Sequence, residues 1–308
     1  MFDIDYVFPW VNNAEKVWRK TFIDYCKKNQ LEWRLAALEK ERYRDWGLLK
    51  YLFRAIAKNM PWIHKVHLIV SNIEQVPAWI NQQEVHIVLH EDFMPQQCLP
   101  TFNSTTIEMF LPKIPDLAEH FIYGNDDMYP MAPSQPSDWY NEEGKPCFNM
   151  LPTQRKAEKD KQFRKVCCNQ WDMLCRLTKH LRTECYERPQ HGLVPLLTSK
   201  CNEVLELIGD TKILNSTSRF RLETNMNQYI YSDYLELCNY RSDNKLNFKY
   251  VGAKHPLDLL TAITNTEIHN LCINDCNNNL TPMQLTTLQV LCAQEFEKRF
   301  PEKCKYEN

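Results

Sequence analysis

Glycine is scarce in this chain, with six residues among 308. Neither a GxGxxG fingerprint nor a P-loop occurs, so no glycine-rich backbone cradle for phosphate is available. Any bound phosphate must be held by a metal, by arginines or by a helix end. No apolar run approaches the ~20 residues that a membrane-spanning helix needs. No secretory signal opens the chain, because Met1-Phe2-Asp3-Ile4-Asp5 leads straight into a strand-like segment. Excess charge is also missing: 37 basic against 39 acidic residues leave −2. That excludes a bulk electrostatic grip on nucleic acid while permitting a local basic pocket. The thirteen cysteines include no Cys-x-x-Cys pair, which argues against a zinc site. Their odd number and the adjacent Cys167-Cys168 read as reduced, mostly buried thiols of a cytoplasmic protein. The sequons at Asn103, Asn215 and Asn279 are then chance matches.

What is present is the alternation of an α/β protein. Ile4–Phe8 reads as a buried strand broken by Pro9-Trp10-Val11-Asn12-Asn13. This end suits a nucleotide-binding edge, and a tryptophan simply covering the core explains it equally well. Helices are expected over Ala14–Lys28 and Arg42–Lys58, the second with Trp46, Leu49, Phe53 and Ile56 on one stripe. Strands follow at Lys65–Val70, ending in Ser71-Asn72, and at Val85–Leu89. A loop through Asn103 enters a helix that turns Ile107, Phe110 and Leu111 inward and carries Glu108, where a carboxylate often serves only the helix dipole. This rhythm predicts a mainly parallel, doubly wound sheet with a helical half inserted or appended. Residues 1–135 read as one α/β part, 136–245 as a helical part, and 246–308 as a segment that completes the core.

Five prolines lie between 130 and 152, and a charged run covers Arg155–Lys165. Such a stretch reads as an excursion over the active face. Residues 166–240 read as helical. Late strands are expected at Phe248–Gly252 and Asn270–Asn274, and Thr281-Pro282-Met283-Gln284 is a capping box opening the last helix.

The strand His120–Tyr123 runs through Gly124 and Asn125 into Asp126-Asp127. Ligands of open α/β sheets bind outside the carboxyl ends of the strands. Neighbouring side chains on an extended backbone face opposite ways, so one carboxylate can reach a metal or phosphate while the other braces the loop. A solvated turn explains the same residues.

Ile4-Asp5-Tyr6-Val7-Phe8-Pro9-Trp10-Val11-Asn12 resembles the opening signature of the Stealth family. These are the sugar-phosphate transferases of bacterial capsule synthesis, together with the animal N-acetylglucosamine-1-phosphotransferase of lysosomal targeting. Leu48-x-x-Tyr51-x-x-Arg54 through Pro61-Trp62 and Val70-Ser71-Asn72 is similar to the second signature, which continues to Tyr123-Gly124-Asn125-Asp126-Asp127-Met128. His191-x-x-x-Pro195 with Arg219-Phe220-Arg221 resembles the third, and Asn274-Asp275 the fourth. Pro9 stands where Thr is more usual, and Gly124 where Leu or Asn is.

The resemblance implies a Rossmann-like, glycosyltransferase-A-like fold. It also implies transfer of a hexose-1-phosphate, such as N-acetylglucosamine-1-phosphate, from a UDP-sugar to an acceptor-sugar hydroxyl in capsule or exopolysaccharide synthesis, with release of UMP. Asp127, Asp126, Asn274 and Asp275 would hold Mg2+ or Mn2+, Arg221 the β-phosphate, and His191 would be the general base, since an unperturbed imidazole titrates near neutrality. Glu108 would lie either on the metal or on the donor sugar. Asp5, Trp10, Asn12, Asn72, Asn103 and Arg219 would meet the nucleotide sugar. The acceptor would be lipid-linked at the inner membrane face; the stretch Lys156–Trp171 reads as a plain solvated loop ahead of a surface that touches that face. A glycosyltransferase releasing UDP and a non-catalytic nucleotide-sugar-binding module are the competing readings.

Overall fold

The computed structural model describes residues 2–31, 40–154, 162–275 and 280–308. Five strands form the main sheet: β1 (Ile4–Pro9), β2 (Val66–Val70), β3 (Val85–Leu89), β4 (His120–Tyr123) and β8 (Val194–Leu197). They lie in the order β3-β2-β1-β4-β8, parallel except for β8, which runs antiparallel beside β4. Tyr6 of β1 sits level with Val66 on one side and Ile122 on the other. A second sheet is built from β5 (Met128–Pro130), β10 (Asn270–Asn274) and β9 (Phe248–Gly252), with β10 in the middle. A hairpin of β6 (Met150–Gln154) and β7 (Cys185–Pro189) stands apart.

Both faces of the main sheet are covered, as strict alternation of strand side chains requires. Ile4, Tyr6 and Phe8 pack in one cluster with Leu49, Phe53 and Phe296, from α2 (Leu49–Asn59) and α11 (Pro282–Arg299). Val7, Ile69, Val88, Phe121 and Tyr123 point the other way, onto Ile107 and Met109 of α4 (Ser104–Met109), Val204 of α7 (Thr198–Leu207) and Tyr231 of α9 (Tyr229–Leu237). The remaining helices are α1 (Lys16–Lys28), α3 (His90–Phe93), α5 (Pro136–Trp139), α6 (Gln162–Leu177), α8 (Thr211–Ser216) and α10 (Pro256–Thr264). The fold is thus α/β, with a mainly parallel, doubly wound sheet.

Three expectations are corrected. The second helix begins at Leu49, not Arg42, because Gly47 takes φ +71°, a left-handed conformation that ends helical geometry on its amino side. The residues before it are thereby freed to face the end of β10. The stretch 166–240 is not wholly helical, since it contributes β7 and β8. Val194–Leu197 is buried at all four positions, and so short an apolar run carries no period that separates strand from helix. The strand preceding the two aspartates ends at Tyr123, so Asp126 and Asp127 sit in a turn, and the opposite-face argument does not apply to them.

Among the described residues no helix is long and apolar enough to cross a membrane. No two of the described cysteines are joined, and most thiols are buried. Asn103 is fully buried, so that sequon is closed to glycosylation in the folded chain. Most of the charged run from Arg155, the first residues of the Lys156–Trp171 stretch, and Asn279 lie outside the described residues.

Candidate active site

The strand order reverses between β1 and β4, and the carboxyl ends of these strands open the crevice where α/β sheets take ligands. Gly124 N–H donates to the Val7 carbonyl at 3.1 Å, Met128 N–H to Asn125 O at 3.0 Å, and Ile273 N–H to Asp127 O at 2.9 Å. The Asn125–Asp127 turn is therefore pinned between the two sheets. A Cβ on Gly124 would collide with Leu193 Cδ2 and stand 3.2 Å from Tyr6 Oη, so the departure at this position has a steric cause. Leu193 belongs to the loop that carries His191. That loop is itself seated through Gly192, whose Cβ would lie 2.6 Å from the Phe248 ring. Two glycines thus let the aspartate turn and the histidine loop close on one another.

Acidic charge gathers at the turn. Burial first, then the charges of Asp127 and Asp45, push Asp126 well above the usual carboxylate range. Burial also lifts Asp127 to about 6; Cys272, backbone donation and Arg221 pull it down, while Asp275 pushes it up. Asp275 is engaged by Arg44, whose Nη1 donates to Oδ2 at 2.8 Å. Oδ1 of Asp127 is buried and lacks a hydrogen-bond partner among the described residues. Such an atom costs free energy unless a cation meets it. Among the described residues no three His, Cys, Asp or Glu side chains form a closed cation cage. This donor set fits Mg2+ or Mn2+, which take one or two carboxylates and complete their shell with water and substrate phosphate.

Arg221 links this acidic turn to a second group. It donates to Ser104 Oγ, and its charge acts on Glu108, Asp127, Tyr123 and His191 alike. Glu108 is not a surface dipole residue. It is 5% exposed, accepts from Gln228 N–H at 3.0 Å and is bonded by Ser104 and Tyr123. Burial raises its pKa, and the charge of Arg221 partly offsets that. His191 is bonded through Nδ1 to the Tyr229 hydroxyl. Burial above all, then the charges of Arg188 and Arg221, push its imidazole down to about 4. The near-neutral titration expected for it is corrected on that ground. His191 stays neutral at physiological pH, as a base must before it acts.

The structure brings together Asp126, Asp127, Asp275, Glu108, Arg221 and His191, with Asn274 at the end of β10. Several other candidates are engaged by partners within the fold. Asp5 is fully buried near the amino end of β1, accepting from Ala118 N–H at 2.9 Å and bonded to His64 Nδ1 and His67 Nε2, each at 2.9 Å. It pins the sheet at the end of β1 away from the crevice. Trp10 is 6% exposed and packs in the core. Asn103 caps α4 and bonds Asn225 Oδ1 at 3.0 Å. Arg219 spends both terminal nitrogens on backbone carbonyls of Thr217, Gln97 and Leu99. Asn12 and Asn72 remain at the carboxyl ends of β1 and β2, Asn12 held by Gln75 and Ala14, and Asn72 bonded to Ser71 Oγ at 3.0 Å.

Sequence reasoning missed Asp45, Arg44, Tyr123, Tyr229 and Arg188. From the sequence Tyr123 reads as plain strand. Tyr229 and Arg188 carried no sequence signal at all.

The family model described as Stealth protein CR2, conserved region 2, matches residues 42–148, which span α2, α4 and the aspartate turn. An exopolysaccharide phosphotransferase, cps2G, of Lactiplantibacillus plantarum is 28% identical over 99% of this chain and 96% of its own. A capsular polysaccharide phosphotransferase, WcwK, of Streptococcus pneumoniae is 28% identical over 100% and 98%. The solved galactosyltransferase LgtC, in complex with donor and acceptor sugar analogues, aligns over 94% of this chain and 95% of its own at 9% identity and TM-score 0.44. Residues 42–148 of this chain thus match conserved region 2 of the Stealth proteins, and over its whole length the chain is similar to bacterial polysaccharide phosphotransferases.

Proposed function

We propose that the chain is a sugar-1-phosphate transferase of capsular or exopolysaccharide synthesis. It moves a hexose-1-phosphate, such as N-acetylglucosamine-1-phosphate, from a UDP-sugar to a hydroxyl of an acceptor saccharide and releases UMP. The carrying observation is that one guanidinium, Arg221, acts on the aspartate turn, on Glu108 and on His191 together. Phosphoryl transfer asks for this combination of positioning and charge neutralisation.

In this reading the acceptor oxygen attacks the β-phosphorus, the bond from that phosphorus to the bridging oxygen breaks, and the sugar–phosphate bond stays intact. Arg221 holds the phosphoryl oxygens with its planar fork. Glu108 and Ser104 fix that fork. Asp127, with Asp126, Asn274 and Asp275 around it, would hold a divalent cation, whose charge would neutralise the donor phosphates. His191 takes the acceptor proton at Nε2, which requires its Nδ1–H to donate to the Tyr229 oxygen. Asn12 and Asn72, at the ends of β1 and β2, lie on the nucleotide side. The lipid-linked acceptor would be met at the inner face of the membrane by a cytoplasmic enzyme.

The test is a screen of nucleotide sugars with Mg2+ or Mn2+, read by the nucleotide released. Monophosphate supports the reading. Diphosphate would make the chain an ordinary glycosyltransferase, and no release with any donor would favour a binding module.

A further inference from the structure

His191 lies among aromatic rings that the sequence does not place together. Tyr250 of β9 approaches it at 5.6 Å between ring centroids with the planes at 67°, and Phe163 of α6 at 6.0 Å and 77°. Phe163 also meets Tyr229 at 5.8 Å, while Tyr229 holds His191 Nδ1. Tyr229 is 1% exposed and is part of the core. Tyr250 and Phe163 differ from it, with 47% and 40% of their surfaces open to solvent. Folding therefore keeps two large apolar rings at the surface beside the one imidazole of the site.

Tyr250 is fixed where it stands by the sheet. It is level with Cys272 of β10, which is level with Met128 of β5, so one rung of the second sheet runs from this ring to the residue that follows Asp127. Cys272 also bonds the Asp127 side chain. Two residues before Tyr250, Phe248 receives Gly192, which sets the depth of the His191 loop. One strand therefore sets both the exposed ring and the histidine against the aspartate turn. A mere surface tyrosine needs no such coupling.

We propose that Tyr250 and Phe163 form the acceptor subsite and that their ligand is a pyranose. The axial C–H face of a pyranose is apolar while its rim of hydroxyls is polar. A half-exposed aromatic ring beside a neutral imidazole matches both, taking the C–H face and presenting a hydroxyl to His191. The arginines of the site, Arg188 and Arg221, hold the charge a donor needs, whereas these rings carry none. The assignment rests on the sugar-phosphate transfer reading for which face is acceptor and which is donor.

The experiment is saturation-transfer NMR on the full chain with Mg2+ and UDP, using methyl β-D-glucopyranoside and methyl β-D-galactopyranoside as probes. Transfer to the ring C–H protons of at least one probe is expected. It should fall at least tenfold in Tyr250→Ala and in Phe163→Ala and be restored in Tyr250→Phe, whose ring is retained. In parallel, the KM for any competent acceptor should rise in the alanine variants while the KM for the UDP-sugar stays at the wild-type value. No transfer in the wild type, or transfer undiminished in the double alanine variant, would overturn the subsite. Loss of UMP release from the wild type with probe binding intact would instead remove the transferase reading and leave a saccharide site standing.

Discussion

Arg44 and Asp275 are 231 positions apart in sequence, yet Arg44 Nη1 donates to Asp275 Oδ2 at 2.8 Å. The pair joins the stretch before α2 to the end of β10, with 22% and 11% of the two side chains exposed. It also screens a carboxylate whose charge bears on Asp127. Arg44→Ala should destabilise the chain by about 1–3 kcal/mol, the range for losing a hydrogen bond to a charged group that stays behind. Urea denaturation measures this. Nucleotide release should fall with it, because Asp275 loses its anchor beside the aspartate turn.

Asp127→Asn should abolish release of nucleotide and at the same time stabilise the metal-free protein. Folding raises the Asp127 pKa to about 6, so its stabilising contribution is present below about pH 4 and is lost as pH rises through 6. Above that, wild type carries a buried charge that the asparagine variant does not. Thermal melts at pH 7.5 without divalent cations should place the variant above wild type. Adding Mg2+ should raise the wild-type melting temperature and leave the variant unmoved. Equal shifts in both proteins would remove Asp127 from the cation site.

His191 titrates in the opposite sense. Its folded pKa is depressed to about 4, so the stability it contributes is present above about pH 6.5 and lost as pH falls from there toward 4. Loss of the base by His191→Ala should lower transfer by about 10²–10⁴-fold, the usual worth of general base catalysis. Tyr229→Phe removes only the partner at Nδ1 and should cost about 10–100-fold in kcat, as orienting partners generally do. The KM for the donor should not change in the Tyr229 variant. A change confined to KM would place Tyr229 on substrate instead.

Asp5 separates the nucleotide-binding expectation from the structure most simply. With three partners and no exposure, Asp5→Ala should destabilise by about 3–5 kcal/mol, as removing one partner from a buried charged network does. Because hydrogen bonds from His67, Ala118 and His64 outweigh burial, its pKa is lowered, so its contribution is lost as pH falls below about 4. In the milder Asp5→Asn, the donor KM per folded molecule should match wild type. A raised KM would return Asp5 to the nucleotide site.

Much of the core was legible in the chain. Fully buried β2, half-buried β3, and the late strands at Phe248–Gly252 and Asn270–Asn274 follow from short strand-forming runs set between polar breaks. Asp126, Asp127, Arg221 and His191 stood out because carboxylate, guanidinium and imidazole chemistry is visible in residue type. Roles set by tertiary neighbours were not visible. Asp5 and Arg219 have the right side chains for a ligand, yet one is consumed by two histidines and the other by three backbone carbonyls. Tyr229 and Tyr250 are common aromatics whose meaning comes only from His191 lying beside them. Gly124 looked like a departure from pattern, and its cause, Leu193, is 69 residues away in the chain.

Which bond of the donor breaks decides the chemistry. A UDP-sugar carrying 18O at the oxygen between the sugar carbon and the β-phosphorus, incubated with the chain, Mg2+ and acceptor, answers this by mass spectrometry. Attack at phosphorus leaves the label in the sugar–phosphate of the product and none in the released UMP. Label appearing in released UDP would mean that the sugar–oxygen bond had broken, and would contradict phosphoryl transfer.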